Sequence, residues 1–343
     1  MISEQVNESN ESIDNSGSWM PMDDGTQLYL RRWKTAAPPR AILHIVHGMS
    51  EHSRRYAALA RRLGEENIEV WAADARGHGE TSRNKKNDPG KGGLLGHCAD
   101  KDGFSRVTAD IDTINRAIVK EYPDVQLFLL GHSWGSFITQ SYIENYDGAI
   151  PGGASAAEGN NPVNLAGCIL SGTRGPDGIK IAAGTPAMAL LAFILGERKA
   201  SSLARALADG PYNKPFRPNR TASDWLSRDE KEVDAFVADP LCGFLCSVGF
   251  YRDLARALNR IHRPEEMGKI KKELPIYIFS GSADPVGEMG ASPTALAAAY
   301  RKLGINDLET VLYPDARHET LNETNREEVV ESLLSWLLRH CKP

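Results

Sequence analysis

Cysteine is scarce in this chain of 343 residues, and its five copies are scattered. Cys98, Cys168, Cys242, Cys246 and Cys341 make neither a disulfide framework nor, for the nearest pair, a zinc motif completed by further Cys or His. Free thiols in a reducing compartment are the simplest account. The first residues, Met1 to Glu8, have no basic start and no apolar core, so no secretory signal is expected. No apolar run reaches the roughly 20 residues of a membrane helix, and a cytoplasmic protein is the expectation. Excess positive charge is also missing: 40 Lys and Arg face 45 Asp and Glu, a net charge of −5. Nucleic acid is therefore not an expected partner, and the basic run Arg83-Asn84-Lys85-Lys86 reads as a solvated loop. There is no internal repeat and no glycine loop of the kind that cradles phosphates.

A hydrophobic fraction of 41% with 25% charged residues is that of an ordinary globular protein. Its organising stretch is Val125 to Leu130, an apolar run of strand length that ends in Gly131-His132-Ser133-Trp134-Gly135. Helical spacing follows at Phe137, Ile138, Tyr142 and Ile143. A serine between glycines is more often a plain loop, but strand, sharp turn and helix together are the context of a nucleophile elbow. Such a serine needs a base, an orienter for the base and an oxyanion hole. Asp284 follows the strand-like Pro275 to Ser280, and His318 follows the strand-like Glu309 to Tyr313. The order Ser, Asp, His and the placement of each beyond a strand's carboxyl end predict an acyl-transfer triad. No metal or organic cofactor is needed for that chemistry.

In chain order, residues 1–18 are polar and expected to be disordered. Asp24-Gly25-Thr26 signals a hairpin before an edge strand, Leu28 to Trp33. Ala41 to Val46 reads as a buried strand, Tyr56 to Leu63 as a helix and Val70 to Ala73 as a strand. Asp74 to Gly79 reads as a hydrogen-bonded corner, although its Asp, Arg and His invite a metal or catalytic reading. Phe104 to Tyr122 is a long helix with Val107, Ile111, Ile114 and Ile118 on one face. Asp147 to Asn164 is a loop rich in Gly, Ala and Asn, and Leu165 to Ser171 is the next strand. From about 173 to 272 helical patterns replace strand patterns. A last helix, about Arg326 to His340, turns Val329, Val330, Leu333, Leu334 and Leu337 inward.

Four further stretches make a resemblance visible: His47-Gly48-Met49-Ser50-Glu51-His52-Ser53-Arg54-Arg55-Tyr56, Asp74-Ala75-Arg76-Gly77-His78-Gly79, Asp239-Pro240-Leu241-Cys242-Gly243-Phe244 and Gly281-Ser282-Ala283-Asp284-Pro285-Val286-Gly287. From about residue 20 to its end the chain resembles α/β-hydrolases of the monoacylglycerol lipase and lysophospholipase group. The resemblance implies the α/β-hydrolase fold, a mostly parallel central sheet flanked by helices. It implies a hydrolase core of residues 19–172 and 273–343, with a helical cap, 173–272, inserted before the strand that bears the acid. It makes Ser133 the nucleophile, His318 the base and Asp284 the orienter. The amides of Met49 and Trp134 become the oxyanion donors, and His47 a structural residue of its turn.

The expected substrate is a carboxylic ester of a single-chain lipid. The alternatives are a proline iminopeptidase-like peptidase, which would need acidic residues aimed into the pocket from the cap, and a non-catalytic receptor for a hydrophobic ligand on the same fold. Acidic candidates are Glu197, Asp209, Asp224, Asp229, Glu230, Glu232 and Asp234. Within the cap, Pro186 and Gly196 bracket a short helix that is apolar all round. Met188, Leu191 and Leu195 share one face, while Leu190, Phe193 and Ile194 share another. Either both faces are buried in the cap, or one of them, through Leu191 or Ile194, lines an acyl channel above Ser133. The other would then meet solvent or a membrane surface. Head group, acyl length and oligomeric state have no signature in the sequence.

Overall fold

A computed structural model describes residues 17–145, 163–176, 179–208 and 210–342, with the backbone alone for 179–184. Eight strands form one sheet in the order β1-β2-β4-β3-β5-β6-β7-β8. They are β1 (Gly17–Pro21), β2 (Gln27–Trp33), β3 (Ala41–Val46), β4 (Ile68–Asp74), β5 (Gln126–His132), β6 (Leu165–Ser171), β7 (Ile276–Gly281) and β8 (Leu308–Tyr313). The first two pairings, β1 with β2 and β2 with β4, are antiparallel, and those from β4 through β8 are parallel. This is the α/β-hydrolase fold.

Leu28 to Trp33, expected at the edge, has a neighbour on its outer side. The edge is β1, joined to β2 by a turn in which Met22 N–H donates to the Thr26 carbonyl. Of residues 1–18, expected to be disordered, Gly17 and Ser18 are the first residues of β1, paired with Arg31 and Leu30, while residues 1–16, and most of the loop expected at Asp147 to Asn164, lie outside the described residues.

The parallel strands are mostly apolar, and β3 to β7 are covered on both faces, while the outermost strand, β8, is largely half-buried and carries Glu309. Along β3, Ile42 and Val46 join the apolar layer on one side, while Ala41, Leu43 and Ile45 join the layer on the other. Strand β7 divides in the same way, Ile276 and Ile278 against Tyr277 and Phe279. Period-two alternation therefore serves two cores at once.

The helices are α1 (Ala57–Gly64), α2 (Gly79–Arg83), α3 (Gly103–Glu121), α4 (Trp134–Ile143), α5 (Ile179–Leu195), α6 (Ser202–Ala208), α7 (Glu230–Ala238), α8 (Val248–Ile261), α9 (Pro264–Met267), α10 (Ala291–Lys302) and α11 (Arg326–His340). Helix α3 starts where the Asp102 carboxylate accepts from Ser105 N–H, and it buries Val107, Ile111, Ile114 and Ile118 as its spacing requires. In α11 Val330 is only half-buried, and Trp336 takes the inward place, stacked on Tyr277 at 5.6 Å.

Helices α5 to α9 all fall between β6 and β7. The largest correction concerns α5: it starts at Ile179, and Pro186 lies inside it rather than at its first turn. The seven residues before the proline, Ile179 to Thr185, extend the helix past the position where the sequence signal set its start.

Candidate active site

The parallel sheet presents the carboxyl ends of β3, β5, β7 and β8 along one edge. The residues that follow those ends, Met49, Ser133, Asp284 and His318, are drawn toward one place. Ser133 caps α4 with φ 52° and ψ −122°, a conformation that a non-glycine residue seldom adopts. It is held there by Ser133 N–H donating to the Ser171 carbonyl at 2.9 Å and by Ser136, whose N–H donates to the Ser133 carbonyl at 2.8 Å. Ser136 in turn donates its hydroxyl to the same carbonyl at 2.5 Å. A side chain on Gly131 or Gly135 would strike backbone: a Cβ at Gly135 would lie 2.2 Å from the Val46 carbonyl oxygen. The glycines are what allow the elbow to sit against β3.

His318 Nδ1 donates to Asp284, at 3.0 Å from Oδ1 and 3.1 Å from Oδ2. Asp284 also accepts from the Ser280 hydroxyl at 3.0 Å and from Val286 N–H at 2.9 Å. Burial opposes the charge of that carboxylate, yet His318 and these donors hold its pKa below the ordinary value. Burial likewise opposes a charged His318, but the attraction of Asp284, and further off of Glu319 and Glu51, raises its pKa. Its neighbours behave oppositely. Burial pushes His132 down to about 4 and also lowers His47 and His78. Among these buried imidazoles, His318 is the one tuned toward taking a proton. Asp315, the aspartate nearest His318 in sequence, is exposed, and its N–H donates to the Ser282 hydroxyl.

His47 has both ring nitrogens occupied. Nε2 accepts from Ala75 N–H at 2.9 Å, so Nδ1 carries the proton and donates to the Gly48 carbonyl at 2.7 Å. The corner that follows β4 is structural in the same way. Buried Arg76 forks onto Asp110 and Asp24, Asp74 accepts from Arg31 and from Ser53, and the His78 ring stacks on Trp134 at 5.1 Å.

Sequence reasoning passed over Glu51. Its Oε1 accepts from Gly48 N–H at 2.5 Å and from the Tyr56 hydroxyl at 2.9 Å. Its Oε2 accepts from Arg55, whose other contacts run to both oxygens of Glu319 at 2.6 Å. The buried carboxylate thus fixes the turn that carries the Met49 amide. The signal was present in the sequence, since Glu51, Arg55 and Tyr56 fall in one of the quoted stretches.

Ser133 and His318 line a cavity of about 40 Å³ together with Gly48, Met49, Trp225, Leu226, Phe236, Phe244 and Tyr251. The Trp225 ring lies 5.0 Å from His318, and Glu319 N–H donates to the Leu226 carbonyl at 2.7 Å. The apolar wall therefore comes from the strap before α7, from α7 itself, from the segment between α7 and α8, from Tyr251 of α8 and from Met49 after β3. Met188, Leu191, Ile194 and Leu195 are not in it. Met188 is buried and Leu191 half-buried where α5 packs on α8, while Ile194 and Leu195 face outward. With the helix begun seven residues early, its inner face is used up on α8. A second cleft, about 450 Å³, shares Glu51, His132 and Glu319 with the cavity and continues between α1 and α11 past Arg55 and Tyr56.

An elbow serine, a carboxylate-oriented histidine and a fixed turn beside them can perform nucleophilic attack on a carbonyl with proton transfer by the imidazole. A family model described as serine aminopeptidase, S33, matches residues 37–325. The monoacylglycerol lipase of Mycolicibacterium smegmatis is 26% identical over 320 residues, 92% of this chain and 94% of that one. The monoglyceride lipase of Mus musculus is 30% identical over 267 residues, 76% of this chain and 71% of that one. Among solved structures, a thermostable carboxyl esterase from Bacillus coagulans in complex with glycerol superposes with a TM-score of 0.83 at 25% identity, covering 95% of this chain and 99% of that one. A soluble variant of Saccharomyces cerevisiae monoglyceride lipase shares the fold with a TM-score of 0.70 at 19% identity, covering 96% of each chain.

Proposed function

Because the chain belongs to the serine aminopeptidase S33 family of α/β-hydrolases, we propose that it hydrolyses carboxylic esters of single-chain lipids, monoacylglycerols foremost, through an acyl-enzyme on Ser133. His318 takes the serine proton and passes it to the leaving alcohol, Asp284 holds the imidazole in the productive tautomer, and the amides of Met49 and Trp134 receive the oxyanion. The carrying observation is the wall of the Ser133 cavity, built from Met49, Trp225, Leu226, Phe236, Phe244 and Tyr251. Such a surface suits an acyl chain rather than a charged amine.

The aminopeptidase alternative needs free carboxylates in that wall. Glu197 pairs with Arg252, Asp229 and Glu232 with Arg326, and Glu230 and Asp234 with Arg220. Asp224 is taken by Thr221 and by the Arg220 amide, and Asp209 lies outside the described residues. None of the described six lines the cavity. Glu51 and Glu319 do line it, but both are clamped on Arg55. The cleft past Arg55 and Tyr56 is polar where it meets the cavity, which supports it as the way out for a small polyol product.

The test is a substrate ranking. Purified protein should turn over a monoacylglycerol and medium-chain p-nitrophenyl esters far faster than proline-arylamide. The reverse order would transfer the assignment to the peptidase. Failure of a fluorophosphonate probe to label Ser133 would favour the non-catalytic receptor.

Among the described residues no helix is long and apolar enough to cross a membrane. The cap nevertheless exposes Leu190 at 60%, Phe193 at 89% and Ile194 at 66%, with Leu203 and Leu207 of α6 also in solvent. We take this as a transient contact with the surface that carries the substrate. Phe193→Asp should weaken binding to phosphatidylcholine vesicles and slow hydrolysis of a vesicle-borne monoacylglycerol, with turnover of a water-soluble acetyl ester unchanged. Equal rates on the vesicle-borne substrate would remove that role from α5.

A further inference from the structure

In a cleft separate from the Ser133 cavity, the loop after β3 meets the turn after α7 through three side chains of different chemistry. His52 Nε2 lies 2.9 Å from Asp239 Oδ2, and Cys242 completes a set whose ligand atoms all lie within 4.8 Å of one another. Two short backbone devices create the set. His52 is held in extended conformation immediately before the single helical turn Ser53–Tyr56. After α7 the chain turns back on itself: Asp239 Oδ1 accepts from Leu241 N–H at 2.8 Å and Cys242 N–H donates to the Asp239 carbonyl at 2.9 Å. That turn brings a carboxylate and a thiol, three residues apart, to the same side. Gly243 N–H then donates to the Ser50 carbonyl at 2.8 Å, fixing the turn against the loop that carries His52.

We propose that His52, Asp239 and Cys242 form a binding site for a thiophilic divalent cation of the zinc class, bridging the cap to the core. One imidazole, one carboxylate and one sulfur match the ligand types that zinc takes and that calcium or magnesium does not. Zinc bonds of about 2.0–2.3 Å imply ligand–ligand edges of roughly 3.3–3.7 Å. The histidine and carboxylate must therefore part slightly and the sulfur close in. The fourth position falls to water. His52 and Asp239 line a cleft of about 610 Å³ with Tyr29, Arg31, Arg54, Glu80 and Pro240, which gives ion and water a route from solvent. Arg31, Arg54 and Arg83 also line the cleft and Arg55 stands near Cys242, so the charge that compensates the ion comes from the ligands themselves, the Asp239 carboxylate and the thiolate formed on binding. His52 also differs from its buried neighbour His47, which uses both ring nitrogens. The Nδ1 of His52 is buried without a hydrogen-bond partner among the described residues, so the ring is not locked into a larger network.

Binding exchanges the Cys242 thiol proton, released to buffer, for a sulfur–metal bond. The full-length protein, stripped with chelator and dialysed, should bind one equivalent of ZnCl2 in calorimetry and none of MgCl2, and its Tm should rise with zinc concentration. Co2+ should give a thiolate-to-metal charge-transfer band. Cys242→Ala should abolish that band and weaken zinc at least about tenfold, as loss of even an outer-shell partner can do. Asp239→Asn, which keeps an acceptor for Leu241 N–H, should weaken zinc likewise and serves if the cysteine variant does not fold. His318→Ala should still bind one equivalent. Absence of zinc binding in the wild-type chain, or affinity unchanged in both Cys242→Ala and Asp239→Asn, overturns the site. So does loss of zinc binding in His318→Ala, which would put the ion in the triad.

Discussion

Ser133→Ala and His318→Ala are each expected to lower ester kcat/KM by about 10⁴- to 10⁶-fold, as removal of one member of such a unit does. The loss should be similar for either variant and barely larger for both together, because nucleophile and base act in one step. Asp284→Asn should cost about 10⁴-fold, since an amide no longer favours the tautomer that Nδ1–H of His318 requires. The pH profile carries a separate signature. His318 must be neutral to accept the serine proton, so kcat/KM falls as pH drops through its pKa. Asp284 raises that pKa against the opposing effect of burial. The acid limb of the wild-type profile should therefore lie above the ordinary imidazole value. In Asp284→Asn the burial remains without the carboxylate, and the residual limb should move to lower pH. A profile for Asp284→Asn that retains both rate and midpoint would remove Asp284 from the orienting role.

Gly135→Ala should be nearly as damaging, through the fold rather than the chemistry. Its Cβ would meet the carbonyl oxygens of Val46 at 2.2 Å and His47 at 2.5 Å, both backbone atoms of β3 and the turn beyond it. A flexible side chain could swing away, but a strand in the centre of an eight-stranded sheet cannot. The cost should exceed the roughly 1–3 kcal/mol usual for an overpacked core, out of a total stability of only about 5–15 kcal/mol. The variant should show a large fall in its urea midpoint and little ester activity in whatever remains folded. Gly64→Ala is the control: nothing lies within 4 Å of the added carbon at the end of α1, so its midpoint should hold or rise. A Gly135→Ala protein as stable and active as wild type would show that β3 can yield, and that the elbow does not depend on so close an approach.

Local pattern alone determined a good deal of this protein. The strand–turn–helix around Ser133 was legible because an apolar run, two glycines and a helical period succeed one another without interruption. The inner parallel strands β3, β5, β6 and β7 were legible because, buried on both faces, they are apolar over most of their length. The order of Ser133, Asp284 and His318 followed from strand ends, and the structure adds the 3.0 Å contact between the last two. The Asp74 to Gly79 corner was legible as structure because its charged residues had turn glycines among them.

What tertiary structure decided lies where backbone pairing or distant packing, not local hydrophobicity, sets the outcome. Strand β1 pairs through its main chain while its side chains stay mostly in solvent, so no apolar period announces it. The stretch of α5 after Pro186, Ala187 to Leu195, is apolar all round, and a period without contrast does not say which side is inside. Its packing on α8 chose Met188 and left Phe193 in solvent. The wall over Ser133 comes largely from Trp225, Leu226, Phe236 and Phe244, about a hundred residues from the elbow in sequence and brought over it only by the path of the chain between β6 and β7. The juxtaposition of His52 with Asp239 and Cys242 is of the same kind. A spacing of 187 residues carries no signal, because their closeness is a property of two surfaces that meet after folding rather than of either segment alone.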